Sequence, residues 1–174
     1  VTKKILAGIS ELSKKYGFKV FGDLQCSSQI GNVTKFKEFD MITPTEREAR
    51  IALADNESGI ERIAREIIKE TKCHNLLITL NSSGLIAYHS NGQHGEEQSQ
   101  HFPALVASPV DVAGAGDALL ASVSAVLCCG ADLMEAVAIG TCVSAIAVSQ
   151  IGNRPIKTTE LIAYLDQVFE PDIF

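Results

Sequence analysis

A run of small residues between two carboxylates, Asp111–Asp117, is the segment of this 174-residue chain best suited to chemistry. It reads Asp-Val-Ala-Gly-Ala-Gly-Asp, and the apolar run 118–123 follows it. The first N–H groups of a helix are unpaired and carry partial positive charge, so small residues there let a phosphate approach the backbone. Asp117 would lie beside that phosphate, where it could take a proton from an attacking hydroxyl. The pattern predicts phosphoryl transfer to an alcohol.

The same residues also fit a purely structural role. Gly114–Asp117 could be a turn whose acidic residue complements the dipole of the following helix. Short motifs match by chance, so this segment alone leaves both interpretations open.

Alternating strand and helix patterns surround this segment and predict an α/β layered fold with a largely parallel sheet. In such sheets ligands bind at the carboxyl ends of the strands, where several of the predicted turns fall. The predicted helices are an amphipathic one over 1–16, one starting at 43–46, one over 60–68, and three near 115–128, 132–149 and 158–168. The predicted strands are 18–21, 39–42, 76–80 and 85–88, with a polar loop over 90–100 and an extended segment over 101–108.

Composition excludes some functions. The net charge of −6 disfavours a nucleic-acid or anionic-membrane surface as the main partner. The most apolar run, 136–151, is shorter than a membrane span and predicts a buried helix. No signal peptide opens the chain, and the missing initiator Met suggests a fragment or a processed product.

The cysteines and histidines give no metal pattern. Five cysteines without C-x-x-C spacing predict reduced, mostly structural thiols and a cytoplasmic protein, with a reactive thiol left open. The four histidines lack zinc-ligand spacing, and we interpret them as ordinary surface residues.

Three segments in order carry a family resemblance. Residues 111–117 resemble the signature D-T-x-G-A-G-D, residues 42–48 are similar to T-P-N-x-x-E, and residues 78–84 are similar to T-x-G-x-x-G. With these motifs the chain resembles the PfkB/ribokinase family of carbohydrate kinases from about Val20 onward. The resemblance implies a ribokinase-like fold and places residues 1–174 in the C-terminal, nucleotide-binding and phosphoryl-transfer half of the kinase domain.

The resemblance assigns the chemistry of the first motif. It makes Asp117 the base that deprotonates the acceptor hydroxyl. It makes the backbone N–H groups of Gly114, Ala115 and Gly116 the anion hole for the transferring phosphoryl group. Asp111 matches a position near the monovalent cation site of some members, which would hold K⁺.

The resemblance also assigns binding residues elsewhere. Thr79, Asn81 and Gly84 match the segment that lines the ATP pocket, and Thr141 matches a polar residue beside the adenine. Glu48 matches the acid that influences Mg²⁺, often through water.

Several positions depart from the family pattern or fit a structural role. Thr45 stands where the family has Asn, Val112 where it often has Thr, and Asn81 where it often has Gly. Structural alternatives stay open: capping boxes at 45–48 and 43–46, a turn cap at Asp111, and a hydroxyl bonded to its own helix at Thr141. An Asp23 side chain after the first strand could touch ligand or form an Asx-turn.

These patterns predict ATP-dependent phosphorylation of a hydroxyl on a sugar or sugar phosphate. Within the family, residues 23–25, 43–46 and 111–117 look most like the heptose-phosphate kinase domain of ADP-heptose synthases. The alternatives are a kinase for a hydroxymethyl heterocycle and a non-catalytic nucleotide-binding module. The expected partners are the sugar substrate and, in the full-length protein, a second copy, with no nucleic acid and no membrane.

Overall fold

A computed structural model of the chain describes residues 1–24, 32–90, 97–152 and 154–169. It contains two compact units, one spanning Val1–His101 and a second that begins at Phe102. The first unit carries α1 (Lys3–Tyr16), β1 (Phe21–Gly22), β2 (Met41–Ile42), α2 (Glu46–Leu53), α3 (Ile60–Thr71), β3 (Asn75–Thr79), β4 (Leu85–Ser90) and β5 (Glu97–Phe102, whose last residue opens the second unit). The second unit carries α4 (Ala115–Cys128), α5 (Leu133–Val148) and α6 (Thr158–Phe169).

The five strands form one sheet in the order β1-β2-β3-β4-β5. The pairs β1–β2 and β2–β3 are parallel, whereas β3 and β4 form an antiparallel hairpin in which Thr79 lies opposite Leu85. The α/β prediction is confirmed, and the sheet is mixed because the Asn81–Gly84 turn returns the chain directly.

The core of the first unit lies between the sheet and the helices. α3 has apolar residues at helical spacing, and its inner face is completely buried. The central strands are buried as well, which accounts for their continuous apolar runs. The fully buried side chains of these elements include Met41, Ile42, Ile63, Ile67, Leu76 and Ile78.

The strands β1 and β5 differ most from the strands that the sequence predicts. β1 begins only at Phe21, because the N–H of Val20 is bonded to the Asp40 carboxylate at 2.7 Å. β5 begins at Glu97, inside the segment predicted as a polar loop. Its sequence, Glu-Gln-Ser-Gln-His-Phe, is almost entirely polar and so shows no alternation that would mark a strand.

The N-terminal helix forms as predicted and ends at Gly17, whose φ is 74°. Several apolar side chains of this helix are nevertheless exposed. Ile5, Leu12 and Tyr16 are exposed, whereas Leu6 is buried. Helical spacing therefore predicted the helix correctly, although several of its apolar residues are exposed.

Two of the four described cysteines are buried and two are exposed. Cys73, Cys128, Cys129 and Cys142 are free, and Cys73 and Cys142 are buried. Burial raises the pKa of the Cys73 thiol to about 11, which keeps it protonated and unreactive at neutral pH. Cys26 and His94 lie outside the described residues. Within the described ranges, no helix has both the length and the apolar character needed to cross a bilayer.

Candidate active site

The predicted anion hole lies at the start of α4. Gly114 is the residue that caps this helix, in the left-handed region with φ of 79°, and no side chain caps the helix there. The N–H groups of Gly114 and Gly116 have no partner among the described residues, and that of Ala115 lies 3.3 Å from the Val112 carbonyl. A Cβ built on Gly116 would meet nothing within 4 Å. The helix start therefore offers open backbone donors to which a phosphate could bind. We call residues Gly114–Gly116 the phosphate cradle.

Asp117 is the first acidic residue of α4 and lies in its first turn. Its side chain is exposed and has no hydrogen-bond or ion-pair partner among the described residues. An acid in this position complements the positive end of the helix dipole. Its carboxylate oxygens are open to accept a proton from a hydroxyl.

Asp111 ties the loop before α4 to the chain that follows α5. One carboxylate oxygen accepts a hydrogen bond from the N–H of Ala113 at 2.9 Å, and the other accepts from the N–H of Gly152 at 3.1 Å. These two bonds hold the pKa of Asp111 below its ordinary value. In this structure Asp111 therefore makes the contacts of a turn cap, which is the structural alternative to a role in cation binding. The assignment of Asp111 to a cation stays a prediction.

Glu48 forms a capping box with Thr45 at the start of α2. The N–H and hydroxyl of Thr45 donate to Glu48 Oε2 at 2.8 and 2.9 Å, and Thr45 Oγ1 accepts from the Glu48 N–H at 3.2 Å. Glu48 is only 6% exposed. The alternative box at 43–46 does not form, since the helix is capped by Thr45 and Thr43 Oγ1 has no hydrogen-bond partner among the described residues. Pro44 therefore precedes the capping residue and lies outside α2.

The start of α2 and the end of β3 meet at one edge of the sheet. Thr45 and Thr79 form a parallel bridge, and the N–H of Thr79 donates to the Pro44 carbonyl at 3.0 Å. The structure therefore brings the predicted metal residue Glu48 and the predicted nucleotide residue Thr79 to the same edge. This is the carboxyl end of the parallel strands, where ligands bind in α/β folds.

The turn after β3 has the backbone that its motif needs. Asn81 adopts a φ of 53°, and Gly84 has φ of 88° and ψ of −130°. Asparagine tolerates the left-handed region, whereas the conformation at Gly84 is restricted almost to glycine. The N–H of Leu80 donates to the Gly84 carbonyl at 2.7 Å and closes the turn. The nucleotide roles of Asn81 and Gly84 stay predictions.

Two further candidates make local contacts. The hydroxyl of Thr141 donates to the Val137 carbonyl of its own helix at 2.8 Å, as the structural alternative describes. Asp23 Oδ1 accepts from the N–H of Leu24 at 2.7 Å. Neither contact tests a role in ligand binding.

The described residues offer a divalent cation single carboxylates rather than a cage of protein ligands. The described residues contain no cluster of three or more His, Cys, Asp or Glu side chains that could hold a metal ion. Mg²⁺ is commonly held by one or two carboxylates together with water and substrate phosphate oxygens, rather than by a cage of protein ligands. A buried carboxylate such as Glu48 at a sheet edge fits that mode of binding.

Comparison with known proteins agrees with this architecture. The profile of the pfkB family of carbohydrate kinases matches residues 33–159. A bifunctional protein HldE from Geotalea uraniireducens is 27% identical over 166 residues, which are 94% of this chain and 32% of the relative. Ribokinase from Thermotoga maritima superposes with a TM-score of 0.74 at 23% identity, covering 91% of this chain and 52% of that one. Escherichia coli phosphofructokinase-2 in complex with potassium gives 0.78 at 16%, covering 97% and 53%.

The chain belongs to the pfkB family of carbohydrate kinases. Its fold is ribokinase-like, and both predictions are thereby confirmed. The chain spans about a third of the length of the HldE relative and about half of the length of the two structures.

One contact of the candidate site had no signal in the sequence. Asp111 was singled out for its place in the motif, but its partner Gly152 lies in the loop after α5. Local sequence patterns do not show such distant pairings, and the Ser-Gln-Ile segment before Gly152 matches no motif of the candidate site.

Proposed function

We propose that this chain supplies the nucleotide-binding and phosphoryl-transfer part of a kinase that phosphorylates a hydroxyl on a sugar or sugar phosphate with ATP. The observation that carries the proposal is the start of α4. There, an exposed carboxylate without a partner among the described residues, Asp117, stands beside the open backbone donors of Gly114 and Gly116. Membership of the carbohydrate kinase family supports the choice of reaction.

The chemistry of each group follows from its position. Asp117 accepts the proton of the acceptor hydroxyl as that oxygen attacks phosphorus. The N–H groups at Gly114 and Gly116 donate to the oxygens of the transferring group, where negative charge develops. The α4 dipole adds positive potential at the same end. Together these groups supply the base and the charge stabilisation that phosphoryl transfer needs.

The nucleotide and ion roles rest on the family motifs and the sheet edge. We assign Thr79, Asn81, Gly84 and Thr141 to the ATP pocket. Glu48 would hold Mg²⁺ through water, and bound Mg²⁺ neutralises charge on the phosphates. Asp111 would contribute to a K⁺ site. Its two backbone hydrogen bonds use only part of the acceptor capacity of a carboxylate, which has about four lone-pair positions.

The substrate class is a proposal that draws on the relatives. The curated relatives are bifunctional HldE proteins, and the sequence motifs resemble the heptose-phosphate kinase domain of ADP-heptose synthases. A phosphorylated heptose is therefore the first substrate to test. We further propose that the full-length protein acts in the cytoplasm as a homodimer.

A substrate panel tests the reaction. ATP turnover by the protein that carries these residues would be measured with heptose phosphates, ribose, fructose 6-phosphate and hydroxymethyl pyrimidines. Turnover with a sugar or sugar phosphate supports the proposal. Turnover only with the pyrimidines would indicate a vitamin-precursor kinase instead. ATP binding without turnover on any acceptor would indicate a nucleotide-binding module.

The 174-residue chain by itself provides a second test. We expect it to bind ATP weakly and to phosphorylate nothing, because an acceptor must be held in line with the γ-phosphate and much of the rate comes from that positioning. Calorimetry with ATP and a coupled kinase assay check both parts. Robust sugar phosphorylation by this chain alone would show that its residues include the sugar site.

A further inference from the structure

One face of α5 contacts both α4 and the segment that leads into the candidate phosphate cradle. Gly140, Ser144 and Val148 are four residues apart and therefore lie on the same side of the helix. The three residues contact successive parts of the segment that forms the cradle and of the helix that carries it. This face was not part of the predicted site.

The first contact is a close approach between helices. A Cβ built on Gly140 would lie 2.4 Å from Val123 Cγ2 and 3.1 Å from Leu119 Cδ1 on α4. Carbon atoms in contact are ordinarily about 3.5–4.0 Å apart, so any side chain at Gly140 would force the helices apart. Both partners are buried, and Val123 is β-branched with little rotamer freedom.

The next contacts lie further along α5, toward the cradle itself. The Ser144 hydroxyl lies 3.4 Å from the carbonyl oxygen of Ala115, the first residue of α4. The carbonyl of Val148 accepts the N–H of Val110 at 2.7 Å and that of Asp111 at 3.2 Å. The backbone that precedes the cradle, and the Ala115 carbonyl within the cradle, are therefore attached to α5.

We propose that Gly140 is a positioning residue for phosphoryl transfer. Because it has no side chain, α5 approaches α4 closely enough for Ser144 and Val148 to hold the segment Val110–Ala115, which leads into the cradle. The inference rests on the proposed function, since it concerns the placement of Gly114, Gly116 and Asp117. A misplacement of about 1 Å in a site can reduce turnover roughly 100-fold.

A double-mutant cycle between Gly140 and Val123 tests the inference. Gly140→Ala creates the clash, and Val123→Ala removes the Cγ2 atom that causes it. Gly140→Ala should lower turnover at least about tenfold in the parent but less than about twofold in the Val123→Ala background. The backbone amide NMR shifts of Gly114 and Gly116 should move in the first case and stay nearly unchanged in the second.

Gly8→Ala is the matched control. Gly8 is also a helical glycine, but a Cβ there would meet nothing within 4 Å. This change should leave turnover and both amide shifts unchanged. If Gly140→Ala prevents folding, Ser144→Ala replaces it, since it removes only the hydroxyl that faces Ala115. It should shift the same two amides and lower turnover with little change in thermal stability.

The outcomes separate this inference from the proposed function. An active protein in which Gly140→Ala lowers only thermal stability, or lowers turnover equally in both backgrounds, would overturn the positioning role. A parent protein that neither binds ATP nor turns over any acceptor would overturn the proposed function. In that case, amide shifts that move with Gly140→Ala and return with Val123→Ala would still place the cradle under the control of α5.

Discussion

The helices α2, α4 and α5 begin with the same arrangement and use it differently. α2, α4 and α5 each have an acidic residue three positions after the capping residue: Glu48, Asp117 and Glu135. In α2 and α5 that glutamate reaches back to the N–H of its cap, Thr45 or Asp132, and completes a capping box. In α4 the cap is Gly114, and Asp117 has no such partner.

The difference separates a structural helix start from one suited to a ligand. In a capping box, groups of the chain itself accept the free N–H groups of the helix start, which stabilises the fold. Fewer N–H donors then remain for an external anion. α4 has no side-chain cap, and within the described part of the chain the N–H groups of Gly114 and Gly116 and the carboxylate of Asp117 have no partner. An acidic residue in the first turn of a helix therefore indicates a ligand site only when the capping residue is also taken into account.

α3 shows that a glycine cap is not sufficient. It begins at Gly59 without a side-chain cap, yet its third position holds Arg62 rather than an acid. Gly59 also has the extended backbone of an ordinary cap, with φ of −63°, whereas Gly114 is left-handed with φ of 79°. The start of α4 is distinguished from α3 by both features.

The largest expected effect comes from removing the unpaired acid. Asp117→Asn should reduce turnover roughly 100-fold or more while leaving ATP affinity nearly unchanged, because an amide cannot take the proton of the acceptor hydroxyl. Steady-state kinetics and calorimetry of the protein that carries this chain would measure both quantities.

Glu135→Gln is the matched control, since it makes the same change at the same position of α5. Glutamine also completes a capping box, so turnover should be unaffected. Equal turnover in both variants and the parent would mean that the acid of α4 is no more than a helix-dipole partner.

Blocking the backbone donors should have the next largest effect. Gly116→Val places a branched side chain where phosphate must approach, and ATP affinity or turnover should fall roughly tenfold or more. Stability should change little, because a Cβ at Gly116 meets nothing within 4 Å. Gly8→Val, at an equally open helical glycine, provides the stability reference. Comparable activity losses in the two variants would argue against a phosphate cradle.

Substituting the capping residues themselves should lower the stability of the fold. Asp132→Ala removes the carboxylate that accepts the N–H of Glu135 at 2.9 Å and should destabilise the fold by about 1 kcal/mol. Gly114→Ala should cost about 1–2 kcal/mol for a different reason, because alanine disfavours the left-handed backbone at that position. Urea unfolding measures both. A negligible cost for Asp132→Ala would mean that the box contributes little to α5.

The sequence predicted the elements of the candidate site better than their surroundings. Glycines before an apolar run identified the start of α4, since small residues and helical periodicity are local signals. The motif residues Asn81 and Gly84 likewise mark a turn, since both adopt positive φ values that asparagine tolerates and glycine favours. The family resemblance then supplied the chemistry that no local pattern could.

What the sequence could not predict depends on distant contacts. Gly140 is inconspicuous within an apolar helix, and the reason for a glycine there is that an added Cβ would lie 2.4 Å from Val123 Cγ2. Glu48 fits both a capping box and a metal ligand, and its contacts do not exclude the second role. The apolar stripe of α1 indicated a helix but could not show that Ile5 and Tyr16 are exposed.

The smallest expected effect concerns the turn that leads into α3, the helix with a glycine cap and no acid at its third position. Asp55 Oδ1 accepts the N–H groups of Glu57 at 3.0 Å and Ser58 at 2.9 Å. Hydrogen bonds from Ser58 and Glu57 lower the pKa of Asp55 from 3.8 to about 2. A depressed native pKa contributes stability that is present above the unfolded value and is lost as the pH falls through the native one.

Asp55→Asn should therefore be less stable than the parent near neutral pH, and the difference should shrink as the pH falls from about 4 to about 2. Urea midpoints measured across that range would show the two proteins converging. Activity at neutral pH should be unchanged, since α3 has no acid at the position that Asp117 occupies in α4. A gap in stability that stays constant with pH would mean that the Asp55 charge does not stabilise this turn. A loss of activity near pH 7 would show that a helix with a glycine cap can matter to the reaction without an acid in that place.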